Sequence, residues 1–174
     1  ANADDIVWSS ENESVAIVDD TGKITAVGKG QTLINAYISD EISTNSLITV
    51  SPSVFIVGQE NSRPVLWKNG TKTYLGETGS ANSVVVDGID VYISGYEVVD
   101  ANSNLSMAML WKNGNPIPLT DGTRTAAARS VFVKDTDVYI TGHEDVDPSV
   151  AKVWKNGELL YNLTDGTKSA RAYS

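Results

Sequence analysis

The chain has 174 residues, a formal net charge of −9 and no cysteine. The lack of cysteine excludes disulfides, thiolate chemistry and metal sites built on sulfur. The excess of acidic residues argues against nucleic acid and anionic membranes as partners, because both bind basic surfaces. No run of the sequence approaches the roughly 20 apolar residues of a membrane-spanning helix, so we expect no membrane insertion.

The first 50 residues contain short alternating runs of apolar and polar residues, separated by polar turns. These runs are 8–10, 14–18, 22–27, 30–36 and 47–50. Their spacing predicts a sandwich of antiparallel strands. The segment is also the more acidic part of the chain, with eight acidic and two basic residues.

Four motifs follow one another in this segment: Trp-Ser-Ser from residue 8, Val-Ala-x-Val from residue 15, Gly-Lys-Ile-Thr-Ala-Val from residue 22 and Gly-x-Thr-Leu-Ile from residue 30. In this order they resemble the bacterial Ig-like domain of group 2, over residues 4–51. The resemblance implies a non-catalytic spacer or adhesive module of a secreted or surface-anchored bacterial protein, with Trp8 in its core. Members of that family begin with two further strands, so we expect this module to lack its first strands.

The tetrapeptide Trp-Lys-Asn-Gly occurs three times in the rest of the chain, with tryptophans 44 and then 43 residues apart. Other segments match at the same spacing, including 83–86 with 130–133 and 91–97 with 138–144. A period of about 40 to 50 residues built from strand-like runs is typical of a β-propeller, in which each copy is one blade.

Each copy reads as four antiparallel strands. In the second copy the strands are predicted at 83–86, 90–97, 107–112 and 115–120, with turns at 87–88, 98–106 and 113–114. Asn-Gly after an apolar run favours a two-residue hairpin turn, because both residues tolerate positive φ. The first copy has no strand of its own before Val54 unless residues 47–50 serve.

We therefore predict an all-β chain, with a partial Ig-like β-sandwich at 4–51 followed by two to three four-stranded propeller-like blades. The predicted repeats are about 52–82, 83–129 and 130–174, and the last is incomplete at the C-terminus. Propellers usually need about four to eight blades to close. We expect this chain to be a fragment of a longer protein, or one part of an assembly that supplies the missing strands.

Comparison of the three copies separates fixed from variable positions. A glutamate follows the glycine of the second strand in every copy, and these glutamates are Glu60, Glu97 and Glu144. The variable positions are occupied by Gln59, Tyr96 and His143 before that glutamate, and by Asn82, Arg129 and Tyr173 between Ala and Ser. A shared scaffold that displays differentiated side chains shows this pattern, so the six variable residues form the predicted binding surface. In the alternative, the glutamates accept hydrogen bonds from the next blade and the variable residues are simply exposed.

The repeated tryptophans Trp67, Trp111 and Trp154 have two interpretations, as blade-to-blade packing or as a platform for sugar rings. Packing is favoured, because every copy keeps the ring and a buried large aromatic contributes on the order of several kcal/mol. Both interpretations place these residues at repeated structural or rim positions.

A catalytic role has little support in the sequence. His143 is the single histidine, and its equivalents Gln59 and Tyr96 argue against a proton shuttle in the repeat. The segments 19–22 and 121–123 resemble parts of calcium loops, but they lack the alternating acids and terminal glutamate of a full loop and are read as turns. We expect no enzyme activity, no metal and no cofactor.

Two classes of function remain, with a third based on assembly. The leading hypothesis is a non-catalytic bacterial protein, secreted or on the cell surface, whose propeller recognises a glycan or a surface protein. The alternative is a fragment of a polysaccharide-active propeller enzyme whose catalytic blades are absent. In the third, the chain is a self-associating structural subunit whose open strand edges are completed by neighbouring chains.

Overall fold

A computed structural model describes residues 6–39, 42–100, 102 and 105–174. The described chain contains sixteen β-strands and no helix, which confirms the predicted all-β class. It divides into two compact units, Ala1–Ser53 and Val54–Ser174. Residues 4, 5, 40 and 41 of the predicted Ig-like module lie outside the described residues.

The N-terminal unit is made of two small antiparallel sheets. Strands β1, β4 and β5 form one sheet in the order β1-β4-β5, and β2 pairs with β3 in the other. The strands are β1 Val7–Ser10, β2 Ala16–Val18, β3 Ile24–Ala26, β4 Gly30–Ser39 and β5 Ile42–Val50. The core holds Val15, Ala16, Ile34 and Ala36. Ile34 and Ala36 are two residues apart on β4, so the alternation of the strand directs both inward.

Residues 47–50 belong to a longer strand than the sequence indicates. They form the end of β5, and Leu47 pairs with Leu33 of β4. The option that this run supplies the first strand of the first repeat is therefore wrong, because it is paired within the N-terminal unit.

Trp8 is half-buried rather than enclosed in the core. It lines an open apolar groove of about 220 Å³ together with Ile6, Ala36 and Ile38. Gly22 lies against the other part of the indole, and a Cβ added there would lie 2.7 Å from the Trp8 ring. The expectation that Trp8 is a core residue therefore holds for only one side of its ring.

The C-terminal unit contains three antiparallel meanders. The first sheet has the order β6-β7-β8, the second β12-β11-β10-β9 and the third β13-β14-β15-β16. The strands of the first two sheets are β6 Phe55–Glu60, β7 Arg63–Lys68, β8 Thr71–Tyr74, β9 Gly79–Asp87, β10 Asp90–Asp100, β11 Leu105–Lys112 and β12 Asn115–Pro118. Those of the third are β13 Ala126–Lys134, β14 Asp137–Asp145, β15 Ser149–Lys155 and β16 Glu158–Asn162.

The sheets differ in detail from the predicted repeats. The second and third sheets begin at Gly79 and Ala126, earlier than positions 83 and 130. Strand β10 extends to Asp100 and β11 starts at Leu105, so the connection is shorter than the predicted turn at 98–106. Residues 101, 103 and 104 of that turn lie outside the described residues.

Each Trp-Lys-Asn-Gly forms the predicted hairpin turn. The asparagines have φ of 50°, 53° and 54°, and the glycines that follow have φ of 81°, 82° and 93°. Positive φ at both central residues defines the turn that matches the twist of the flanking strands. The asparagine side chain adds a second link, since the Asn113 Oδ1 accepts a hydrogen bond of 2.8 Å from the Val91 backbone N–H. The tetrapeptide is therefore explained by local backbone geometry.

The sheets of the C-terminal unit pack face to face through two apolar clusters. Leu75, Ile93, Met109 and Trp111 fill the space between the first and second sheets, with Val57 and Leu66 packed against them. The cluster between the second and third sheets contains Tyr92, Ala108, Leu110, Ala126, Ala128, Val131, Val138, Ile140 and Trp154. The second sheet thus has no free face, while the described residues form no closed propeller. The assignment to a propeller stays a prediction.

Candidate functional site

A cleft between the second and third sheets brings together three of the variable residues. Tyr96, Arg129 and His143 line this cleft, which has a volume of about 360 Å³. Asp145 and Arg171 also line it. These five residues define what we call the interblade cleft.

β-Bulges position two of the variable residues. In the β13–β14 pair the register shifts between Ala128 and Ser130, so Arg129 has no partner in the ladder. The β9–β10 pair shifts at the equivalent place and leaves Asn82 unpaired. A bulge of this kind redirects the side chain of the extra residue and recurs next to functional sites. The position between Ala and Ser is thus variable because it does not take part in strand pairing.

Asn82 uses this freedom for a structural contact. Its Nδ2 donates a hydrogen bond of 2.7 Å to the carbonyl oxygen of Ala128 in the neighbouring sheet. Arg129 instead lines the interblade cleft, and its guanidinium lies 5.9 Å from the centre of the Tyr173 ring. Equivalent positions therefore serve packing in one sheet and the cleft in the next.

His143 is buried in β14, and 3% of its side chain is exposed. Its Nε2 lies 4.0 Å from the Asp145 Oδ1, and its Nδ1 has no hydrogen-bond partner among the described residues. Burial lowers the pKa of His143, and the positive charges of Arg129 and Arg171 lower it further. The imidazole is therefore neutral at pH 7, with one nitrogen as donor and the other as acceptor.

The two arginines near His143 differ in their contacts. Asp145 accepts a hydrogen bond of 2.5 Å from the Ser149 hydroxyl, and its Oδ1 lies 3.6 Å from the Arg171 guanidinium. The Nε of Arg129 is buried without a hydrogen-bond partner among the described residues. One cation of the cleft is paired with Asp145, and Arg129 is the cation in excess.

The remaining variable residues lie outside the cleft. Gln59 is exposed on β6 of the first sheet. Tyr173 is exposed at 63% and reaches the site only through Arg129. The structure thus groups Tyr96, Arg129 and His143 and separates Gln59 from them.

Sequence comparison within the chain missed Asp145 and Arg171. The position after the repeated glutamate is also variable, since Asn61 and Val98 occupy it in the other two copies. That difference was a usable signal for Asp145. Arg171 lies two residues before Tyr173, where Ala127 is found in the copy before.

The repeated glutamates do not accept hydrogen bonds from the next sheet. Glu60 binds Lys72 and Tyr74 of its own sheet, and Glu144 binds Lys152 of the strand beside it. The expectation of links between blades was wrong for these two, because a lysine of the same sheet already binds each carboxylate. The carboxylate of Glu97 instead lies over Gly76, where a Cβ would overlap it.

The tryptophans differ in burial. Trp111 and Trp154 are exposed at 0% and 1%, and the Trp111 Nε1 donates a hydrogen bond of 3.1 Å to the Leu75 carbonyl oxygen. Trp67, on the first sheet, is half-buried. The two buried rings pack between sheets and offer no open face to a sugar.

The Asp-Gly-Thr segments form local turns. The Asp121 Oδ1 accepts hydrogen bonds of 2.9 Å and 2.7 Å from the backbone N–H and hydroxyl of Thr123, and Asp165 is bound in the same way by Thr167. These bonds lower the pKa of both carboxyls. Each aspartate is thus engaged in holding its turn.

Glu97 has a raised pKa, because it is partly buried and lies near the negative charge of Glu77. Glu77 is exposed at 90% and bound to Arg63 at 3.1 Å. The pair therefore lacks the shared enclosed site of a catalytic acid and base. Neither residue lines the interblade cleft.

Comparison with known proteins finds a family similarity for the N-terminal unit. The model of the bacterial Ig-like domain (group 2) matches residues 1–45, about a quarter of the chain. Such domains are modules of bacterial surface or adhesion type, typically extracellular or surface-exposed. No curated protein and no solved structure matches the chain. In the described part, no helix has the length and apolar character needed to cross a membrane.

Proposed function

We propose that the chain is a non-catalytic recognition protein, secreted or on a bacterial surface, in which the Ig-like unit is a spacer and the C-terminal unit binds a glycan or a surface protein. The observation that carries this proposal is the grouping of Tyr96, Arg129 and His143 in one cleft. These three positions vary between copies of an otherwise repeated scaffold. A differentiated cleft on a repeated frame is what a recognition surface requires.

The chemistry of the cleft favours a glycan over a flat protein surface. The site is concave, and ligand pockets of about 300 to 1,000 Å³ hold small ligands or single sugar rings. Tyr96 supplies an aromatic ring, and the arginines supply hydrogen-bond donors in a fixed geometry. The proposal includes no catalytic step, because the Ser106 hydroxyl that also lines the cleft donates a hydrogen bond of 2.9 Å to the Ala126 carbonyl oxygen.

The test is binding of the intact chain to a panel of immobilised neutral and acidic polysaccharides. We expect binding that Tyr96→Ala abolishes and Tyr161→Ala leaves unchanged. Tyr161 is a matched control, since it is a tyrosine exposed at 59% on β16. Equal losses in both variants, or no binding to any polysaccharide, would overturn the glycan proposal.

The same samples test the enzymatic and structural alternatives. Release of new reducing ends from a bound polysaccharide would show an enzyme and contradict the proposal. A discrete oligomer in light scattering that Tyr96→Ala does not alter, together with absent glycan binding, would favour the self-associating subunit.

A further inference from the structure

The interblade cleft carries one positive charge without a partner. Asp145 lies opposite Arg171, at 3.6 Å, and among the described residues Arg129 forms no ion pair. The Arg129 side chain is half-buried, and its enclosed Nε has no hydrogen-bond acceptor among the described residues. Burying a charged donor without an acceptor costs free energy. An anion bound beside Arg129 would supply both the acceptor and the counter-charge.

His143 adds a second unsatisfied group to the same cleft. Only 3% of its side chain is exposed, and its Nδ1 has no partner in the part of the chain that the structure describes. Because the Nε2 faces the Asp145 carboxylate at 4.0 Å, the proton is favoured on Nε2. The Nδ1 is then an acceptor, and it requires a hydroxyl or amide donor.

We propose that the interblade cleft binds a sugar that carries a carboxylate, with Arg129 binding the carboxylate and His143 Nδ1 accepting a hydrogen bond from a hydroxyl of the same ring. This inference rests on the proposed function and names its ligand class. Tyr96 contributes an aromatic face for the sugar ring. A uronic acid combines these three features.

Asp145 limits the charge of the ligand. Its carboxylate lies on the wall of the cleft and is already bound by Ser149 and Arg171. A second negative group inside the cleft would be repelled by it, so the cleft is matched to the carboxylate of one sugar residue, and the other residues of an acidic oligosaccharide would lie outside it. Inorganic phosphate supplies the charge and keeps a P–OH donor for His143 at pH 7, but it has no ring face for Tyr96.

The test is isothermal titration of the full chain with a galacturonic acid trisaccharide and with its methyl ester, in which each carboxylate is replaced by a neutral methyl ester group. We expect the acid to bind at least about tenfold more tightly than the ester. Arg129→Gln should remove that difference, while Arg124→Gln, at an exposed arginine on the preceding turn, should preserve it. Sodium acetate, inorganic phosphate and an N-acetylated peptide with a free C-terminus complete the series.

The outcomes test the carboxylate-sugar assignment separately from the proposed recognition function. Equal affinity for acid and ester would overturn the carboxylate assignment and leave a glycan site. Acetate or phosphate binding as tightly as the trisaccharide would show a general anion site and overturn the sugar assignment. Tighter binding of the peptide would overturn the inference and support a protein partner for the recognition surface. Loss of the acid–ester difference in Arg124→Gln would show that Arg129 has no specific role.

Discussion

Replacement of Trp111 by alanine tests whether the repeated tryptophan holds consecutive sheets together. The Trp111 side chain is fully buried between the first and second sheets. A truncation of this size in a packed core costs about 3–5 kcal/mol. Of this, roughly 1 kcal/mol is the hydrogen bond from Nε1 to the Leu75 carbonyl oxygen. Since small domains are stable by only about 5–15 kcal/mol, the loss is a large share of the total.

The assay is urea denaturation followed by circular dichroism, with hydrogen exchange to locate the affected strands. Trp111→Ala should lower the midpoint by about 1 M or more and expose amides of β10 and β11. Trp111→Phe separates the two contributions, because it keeps most of the packing and loses the hydrogen bond. The matched control is Trp67→Ala, at the half-buried equivalent. If Trp111→Ala costs no more than Trp67→Ala, the packing argument is refuted.

Three further outcomes follow from single contacts. Glu97 has a pKa raised by burial, so its contribution to the free energy of unfolding falls as pH rises from its ordinary value through the raised one. Glu97→Gln should therefore raise the urea midpoint at about pH 7 and leave it unchanged at about pH 3; equal shifts at both would contradict this. Gly95→Ala should cost about 1–3 kcal/mol, because its Cβ would overlap a carbonyl oxygen of β9. Gly58→Ala, with only an ordinary contact of 3.5 Å to the Trp67 ring, should cost little, and similar melting temperatures for both variants would contradict the overlap. Asn113→Gly should be less destabilising than Asn113→Ala in thermal unfolding, because both lose the side-chain hydrogen bonds and only glycine readily keeps the positive φ; the reverse order would contradict the role assigned to backbone conformation.

Local backbone chemistry explains what the sequence predicted well. The turns at Asn-Gly follow from residues that accept positive φ, and the strands follow from apolar runs between them. The Ig-like start was recognisable because its motifs keep a fixed order. The length of β5 was missed because residues 43–46 are all polar and carry no alternating apolar signal.

The site depended on tertiary placement that repeats alone do not encode. Comparison of copies selected Tyr96, Arg129 and His143 as variable, but their grouping depends on how the second and third sheets pack. The alternative that the variable residues are simply exposed fails for His143, which is enclosed in β14. The two bulges could not be read from sequence, because a single unpaired residue leaves the alternation on either side intact.

The lysines that bind the repeated glutamates could not be predicted from the sequence of a single copy either. Lys152 and Lys72 lie on different strands of their sheets, β15 and β8. The glutamate at the repeated position therefore binds a lysine from a different strand in each of these two copies, at a different separation along the chain. Alignment of copies by their glutamates does not bring these lysines into line.

A nuclear magnetic resonance titration of the isotopically labelled chain with the galacturonic acid trisaccharide would locate the bound sugar directly. We expect chemical-shift changes confined to the interblade cleft, with the largest at the Arg129 Nε–H and at the backbone amides of Tyr96 and His143. Shifts centred on the first sheet or on the N-terminal unit, or a spectrum unchanged at saturating trisaccharide, would contradict it.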